Sequence, residues 1–322
     1  MKKITYCLFV AINLLLFPYG HAQNYPNKPV TIIVPLAPGG ISDLTARPLA
    51  AALSQVTGQS FIVENKPGAG GAMGAAYAAN QKPDGYKLLV ALTSMLVIPE
   101  AEKVSGKPPS YEVNQFIPIA KVSADPVVLL VKTDSPWKTF QDFIKDAKSR
   151  PGVLSYSSSG LFGAIHVPME MAAQAAGIKL IHVPYQSGGQ SMAALLGGQV
   201  DITIQAPGVA NPHIKAGKIR ALATFGNTRT KVLADIPTLK ELGYDAEFYI
   251  WASLFTPKGT PIEVVNKLRT IVRQAIDEPV FVNAMSNMSA PIFYQDAPEL
   301  QTAIDIESKH FANVVRRIGK IE

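Results

Sequence analysis

The stretch "VPLAPGGISDLTARPLAAAL" (residues 34–53) decides how this chain is read. An apolar run is broken by Pro38-Gly39-Gly40 and resumes as a segment rich in Ala and Leu, with one carboxylate, Asp43, at the junction. Working outward, "PVTIIVPL" (29–36) reads as a buried strand and Ser42 to Val56 as a helix. A glycine pair between strand and helix bares backbone N–H groups at the positive end of the helix dipole, which favours an anion. Loops of this kind also serve catalysis, phosphate binding or simple chain reversal, so the rest of the chain has to choose.

The alternation repeats. "SFIVEN" (60–65) and "YKLLVAL" (86–92) read as strands, and "GAGGAMGAAYAANQ" (68–81) as a helix between them. From 95 to 120 the pattern turns irregular around Pro99, Pro108, Pro109 and Pro118. A second series follows, with strands in "PVVLLVKT" (126–133), "VLSYSS" (153–158), "IKLIHVPY" (178–185), "DITIQA" (201–206) and "GKIRALATF" (217–225). Helices read over 137–150, 165–176 and 189–199 separate them, and "YIWASLFTP" (249–257) with helices over 261–277 and 298–318 closes the chain. Strands separated by helices predict α/β architecture built on largely parallel sheets. The second series is a complete domain inserted into another, which assigns 23–123 plus 227–322 to domain 1 and 124–226 to domain 2. Connections are expected near Val122–Asp125 and Phe225–Arg229, with a cleft between the lobes that can hinge shut.

The opening residues carry a different message. Lys2 and Lys3 precede an apolar stretch from Ile4 to Phe17, and Gly20-His21-Ala22 places small residues at −3 and −1 of a cut before Gln23. This is the pattern of a signal peptide over 1–22, too short for a membrane span. The single cysteine, Cys7, falls inside it, so cysteine nucleophiles, zinc–thiolate sites and redox chemistry are excluded from the mature chain. An exported chain without disulfides points to a bacterial periplasm and a fold stable on its core alone. With 48% hydrophobic and 17% charged residues that core is large enough. Removing Lys2 and Lys3 lowers the formal charge from +6 to +4, a mildly basic surface that favours small anions. No basic cluster interleaved with aromatics occurs, so no nucleic-acid partner is expected.

Motifs for catalysis are missing. There is no G-x-S-x-G elbow and no G-x-x-x-x-G-K-[ST] loop. "GAGGAM" (68–73) fails the dinucleotide fingerprint because Met73 stands at its last glycine position. His166, His182, His213 and His310 lack metal-ligand spacing, so no metal and no cofactor are predicted. His182 reads as a core histidine inside an apolar strand, whereas His166 opens a helix after "SSSGLFGA" (157–164) and is placed to line a cleft. A hydrolase using Ser158 or Ser159 with His166 is the enzymatic alternative, but no carboxylate partner is evident, and no catalytic residue is assigned.

Four strand-to-helix loops share one character: "APGGISD" (37–43), "LTSM" (92–95), "SSSGLFG" (157–163) and "YQSGGQS" (185–191). At the carboxyl ends of parallel strands such loops face a common crevice. Their free N–H groups can hold a carboxylate without an arginine. Taken singly, Ser42 also reads as a helix cap and Asp43 as a dipole complement.

The ordered set "YPNKPVTIIVPLAPGGISD" (25–43), "VENKPGAGG" (63–71), "KPDGYKLL" (82–89), "HVPYQSGGQSMAALLGGQVD" (182–201), "PHIKAGKIRALA" (212–223), "IPTLKELG" (236–243) and "TPKGTP" (256–261) resembles the solute receptors of tripartite tricarboxylate transporters, the Bug receptors of Bordetella and its relatives. The resemblance covers essentially the whole mature chain. It implies a two-lobed periplasmic binding protein fold of type II kind, a monomer that closes over a small carboxylate and delivers it to membrane permease subunits. A sensor or co-receptor role beside a kinase is the alternative that the same family allows. The ligand contacts it implies are Pro38, Gly39, Gly40, Ile41, Ser42 and Asp43, then Ser94, then Ser158, Ser159, Gly160 and His166, and Gln205 at a strand end; Met95 and Phe162 join the expected lining as apolar residues of this chain's own. This chain departs from the family at Leu36, Met95, Leu161-Phe162 and Gln205-Ala206, which removes acceptors for an ammonium group. The apolar set Ile41, Met95, Leu161, Phe162 and Trp251 then suits an aromatic dicarboxylate such as terephthalate, with a C4–C6 aliphatic dicarboxylate as runner-up.

Overall fold

The computed structural model describes residues 25–319. The signal segment read over 1–22, with Cys7, lies outside the described residues. The chain forms two α/β units, each on its own sheet, with strand orders β11-β4-β10-β3-β1-β2 and β7-β6-β8-β5-β9. The first sheet begins with β1 (Val30–Val34), β2 (Phe61–Asn65) and β3 (Lys87–Leu92). β1 is apolar at four of its five positions and lies parallel to both neighbours, as a strand covered on both faces must. α1 (Ile41–Thr57) follows β1 and stops at Gly58 in the left-handed conformation (φ 69°), where a glycine carries no Cβ penalty. After a tight turn at Ala69–Gly71 come α2 (Ala72–Ala79) and, beyond β3, α3 (Ser94–Val104).

α3 occupies part of the region that the prolines made irregular in the sequence. Pro99 inside it has no N–H for the carbonyl four residues back, Met95, and the Tyr111 hydroxyl donates to that carbonyl instead at 3.0 Å. A long-range bond thus satisfies what the local sequence leaves open.

β4 (Phe116–Pro126) carries the chain out of the first sheet, and β5 (Val128–Lys132) opens the second. There α4 (Phe140–Ser149), β6 (Ser155–Ser158), α5 (Val167–Ala176), β7 (Ile181–Pro184), α6 (Gly188–Leu196), β8 (Ile202–Gln205), α7 (Pro207–Lys215) and β9 (Ile219–Thr224) follow in turn. β10 (Tyr249–Pro257) re-enters the first sheet, and α8 (Ile262–Ala275), α9 (Pro279–Met288), β11 (Gln295–Asp296) and α10 (Ala297–Ile318) finish it.

Both sheets are mixed rather than parallel. β10 runs antiparallel to β3 and β4, and β5 antiparallel to β8 and β9. A chain that leaves one unit for another and later returns must cross the junction in opposite directions, so the crossing strands oppose each other. They meet in a row of hydrogen bonds in which Phe225 N–H donates to Val127 O (2.9 Å) and Phe248 N–H to Phe225 O (2.9 Å). β4 extends three residues beyond the boundary drawn at 123. Residues 227–247, assigned above to domain 1, pack on the second unit: Leu233 and Ile236 join its apolar cluster, and Tyr244 meets Phe140 edge-on at 5.2 Å. Sequence pattern could not place this segment, because it holds no long strand or helix of its own.

Candidate functional site

Five helices start where a parallel strand ends at the junction: α1 and α3 after β1 and β3, and α5, α6 and α7 after β6, β7 and β8. Their first-turn N–H groups and positive dipole ends therefore gather between the units.

The opening loop is built around Asp43, which is 3% exposed. One carboxylate oxygen accepts from Gly39 N–H (3.2 Å) and Arg47 Nε (3.0 Å), the other from Asn65 Nδ2 (3.0 Å) and Arg47 NH2 (2.8 Å). Burial pushes its pKa up, but the bonds from Arg47, Asn65 and Gly39 outweigh it and hold the carboxyl below its ordinary value. Asp43 is thus an ionised brace that spends the Gly39 N–H internally. Ser42, beside it, is fully buried, and its Oγ has no partner among the described residues. Gly40 caps α1 with extended backbone and no side-chain bond. In the second loop Thr93 Oγ1 donates to Tyr249 O (2.9 Å) and accepts from Trp251 N–H (3.1 Å), which pins the start of α3 to β10 and leaves Ser94 and Met95 buried beside it.

In the second unit His166 is 0% exposed, and its Nδ1 accepts from Phe162 N–H at 3.1 Å. An accepting Nδ1 carries no proton, so in the neutral ring the proton sits on Nε2, which has no partner among the described residues. The hydroxyl of Ser158 pairs with His182 Nε2 at 2.6 Å, not with His166 as the hydrolase alternative required. Neither ring bonds a carboxylate among the described residues. Gln205 is also held internally, its Nε2 donating to Gly188 O at 3.0 Å. Ser159 is buried, and Phe162 packs edge-on against His166 at 5.7 Å.

His182, read above as a core histidine, is satisfied by Ser158 but is less buried than that reading expects. It lies on an edge strand, half-buried, with its ring 4.2 Å from that of His166. The available signal was its place in a strand three residues before the "YQSGGQS" loop. Burial, and then the neighbouring His182, hold His166 well below the usual histidine range, and burial holds His182 down at about 4. The unfolded rings take up protons near pH 6.5 while the folded ones refuse them. Stability is therefore full above about 6.5 and falls as pH drops toward 4. Urea midpoints are expected to be lower at pH 5 than at pH 7.5, and replacing both histidines by Gln should shrink the difference. Equal midpoints in the native protein would contradict it.

The other expected apolar contacts divide between the seam and the core. Trp251 Nε1 donates to Glu307 at 2.7 Å with Lys121 over its ring, so it faces α10. Ile41 Cδ1 lies 3.4 Å from where a Cβ on Gly208 would stand, a packing contact with α7. Leu161 is 42% exposed.

The two units touch through the predicted loops themselves. Ala37 N–H donates to Gln186 O (3.0 Å), and Ser187 Oγ to Pro38 O (3.2 Å). Glycine faces glycine at three points: a Cβ on Gly40 would lie 3.1 Å from Gly188 N, one on Gly189 2.8 Å from Gly39 O, and one on Gly160 2.7 Å from Gly70 Cα. This revises the role of Gly40. Its bare backbone admits the opposite unit, so Gly40→Val is expected to abolish ligand capture by blocking closure. Titration calorimetry checks this, and wild-type affinity in the variant would refute it. A groove of about 580 Å³ runs along the same seam between Gly70, Gly160, Leu161 and Gln186.

Two α/β units joined at crossing strands, with helix starts facing across the seam, define a two-lobed binding-protein architecture. The comparisons agree: residues 45–320 match the model of the tripartite tricarboxylate transporter family receptor, and the chain belongs to that family. It is 34% identical over 311 residues to the Cupriavidus necator "UPF0065 protein in gbd 5'region", covering 96% of this chain and 93% of that one. It resembles the periplasmic binding protein BugD (TM-score 0.86, 31% identity, 91% of this chain and 98% of that). It also resembles MatC from Rhodopseudomonas palustris with bound malate (TM-score 0.85, 28% identity, 90% and 100%) and R. palustris Rpa4515 with adipate (TM-score 0.84, 27%, 91% and 98%). The chain is therefore a solute-binding receptor of this family, whose members are periplasmic.

Proposed function

We propose that this receptor captures a small aliphatic dicarboxylate of about four to six carbons between its lobes, acting as a monomer that delivers it to membrane permease subunits. One observation carries the reading. Two buried polar atoms without partners among the described residues, Ser42 Oγ in one lobe and His166 Nε2 in the other, stand at helix starts that meet at the seam. Each suits one carboxylate, since a buried polar atom left unpaired is costly and a helix start favours an anion. Neither atom is a cation, so the helix dipoles and N–H donors provide the positive field. The malate and adipate held by two similar structures support a ligand of this length. The aromatic preference loses Trp251, which faces α10, while Ile41 beside the α7 start and Leu161 in the groove stay at the seam with the buried Met95 and Phe162.

A thermal-shift panel of malate, succinate, adipate, terephthalate and matching monocarboxylates tests this. Aliphatic dicarboxylates are expected to raise the melting temperature most, and Ser42→Ala to weaken the best of them by about 1–3 kcal/mol. A shift from terephthalate alone would restore the aromatic reading. No shift from any acid at millimolar concentration would sink the proposal.

A further inference from the structure

We infer that His182 is the positioning residue of the 157–163 loop and sets how tightly the lobes close on a ligand. The inference rests on the carboxylate-receptor reading above. His182 Nε2 lies 2.6 Å from Ser158 Oγ, which accepts from Gly160 N–H at 3.1 Å and lies 3.2 Å from Gly160 O. A hydroxyl has one proton and two lone pairs. With His182 donating, Ser158 accepts from His182 and Gly160 N–H and gives its own proton to Gly160 O, so every valence is used. Ser158 then has nothing left for a ligand. It is a clamp on both backbone groups of Gly160.

Gly160 is where the clamp matters. Its φ of 114° suits only glycine, and its Cα-side approach to Gly70 of the other lobe leaves no room for a Cβ. A line of contacts thus runs from imidazole to hydroxyl to glycine to the opposite lobe. The groups facing His182 are Tyr156 and Ser158 from β6, and His166 at the start of α5. Tyr156 stacks on the His182 ring at 5.0 Å, and its hydroxyl is bonded to Glu170 on α5. The two histidines hold the loop at two points, His182 through Ser158 and His166 through Phe162.

Three variants separate positioning from bulk packing. His182→Phe keeps a ring against Tyr156 but has no donor, His182→Gln keeps a donor at similar reach, and Ser158→Ala removes the relay. By titration calorimetry with malate and adipate, His182→Phe is expected to weaken the tighter ligand about tenfold, and His182→Gln to stay within about threefold of wild type. His182→Phe combined with Ser158→Ala should cost no more than either alone, because both cut one contact line. Hydrogen exchange of the ligand-free protein gives an independent reading. The Gly160 amide should exchange about tenfold faster in His182→Phe and in Ser158→Ala, and at the native rate in His182→Gln. Native protection in His182→Phe, or losses that add in the double variant, would overturn the inference. If wild type binds neither acid, the receptor reading fails while Gly160 exchange still decides the role of His182.

Discussion

Gly189→Ala is expected to raise the melting temperature of the ligand-free protein slightly and yet weaken ligand binding about ten- to hundredfold. Gly189 is the second residue of α6, in ordinary helical backbone. Alanine there favours the helix by about 0.5–1 kcal/mol. The new methyl, however, would stand 2.8 Å from Gly39 O, 2.9 Å from its carbonyl carbon and 3.2 Å from its Cα. All three belong to the backbone of the opposite lobe, which cannot rotate aside as a side chain can. The lobes must part by a few tenths of an ångström or more, at an overpacking cost of about 1–3 kcal/mol. Calorimetric titration and thermal melting on the same sample measure both quantities. Wild-type affinity would show that ligand capture does not need these loops to meet, whereas a large drop in melting temperature would place the clash inside one lobe.

Asp43→Ala is expected to destabilise the protein by about 2–3 kcal/mol at pH 7, the cost of stripping buried donors of their acceptor. Gly39 N–H loses its partner, while Asn65 keeps Leu36 O at 2.9 Å and Arg47 reaches solvent. The native carboxyl titrates below its ordinary value, so its contribution is complete above about pH 3.9 and is lost as pH falls through the lower folded value. The gap between wild type and Asp43→Ala in urea should therefore be wide at pH 7 and narrow near pH 3. A gap independent of pH would mean that packing, not the ionised brace, makes the difference. Binding should weaken as well, because the brace fixes the loop that carries Ser42 and meets Gly189.

Much of this protein is legible in its sequence. The short apolar runs, the glycine and serine loops and the Ala-rich segments predict the two α/β units, and they place helix starts next to Gly40, His166 and Gly188. These signals are local: a strand pattern, a turn or a helix start is written within a few residues. The directions of β4 and β10 are not local, because they follow from where the chain crosses between units. The fates of individual polar groups are equally non-local. Thr93 meets Tyr249 across 156 positions, Ser187 meets Pro38 across 149, and Ser158 meets His182 across 24. For the same reason Trp251 reads as ligand wall but faces Glu307, and His182 reads as core but pairs with Ser158.

The sequence by itself determined the fold class and the family, since each rests on short-range pattern or on motifs in order. Only the tertiary structure decided which atoms in the glycine and serine loops remain free. Hydrogen-bonding capacity is finite, and partners far along the chain had already claimed Ser158 Oγ and the Gln205 amide. It also decided why "APGGISD" needs its glycines: they let one lobe's backbone lie against the other's.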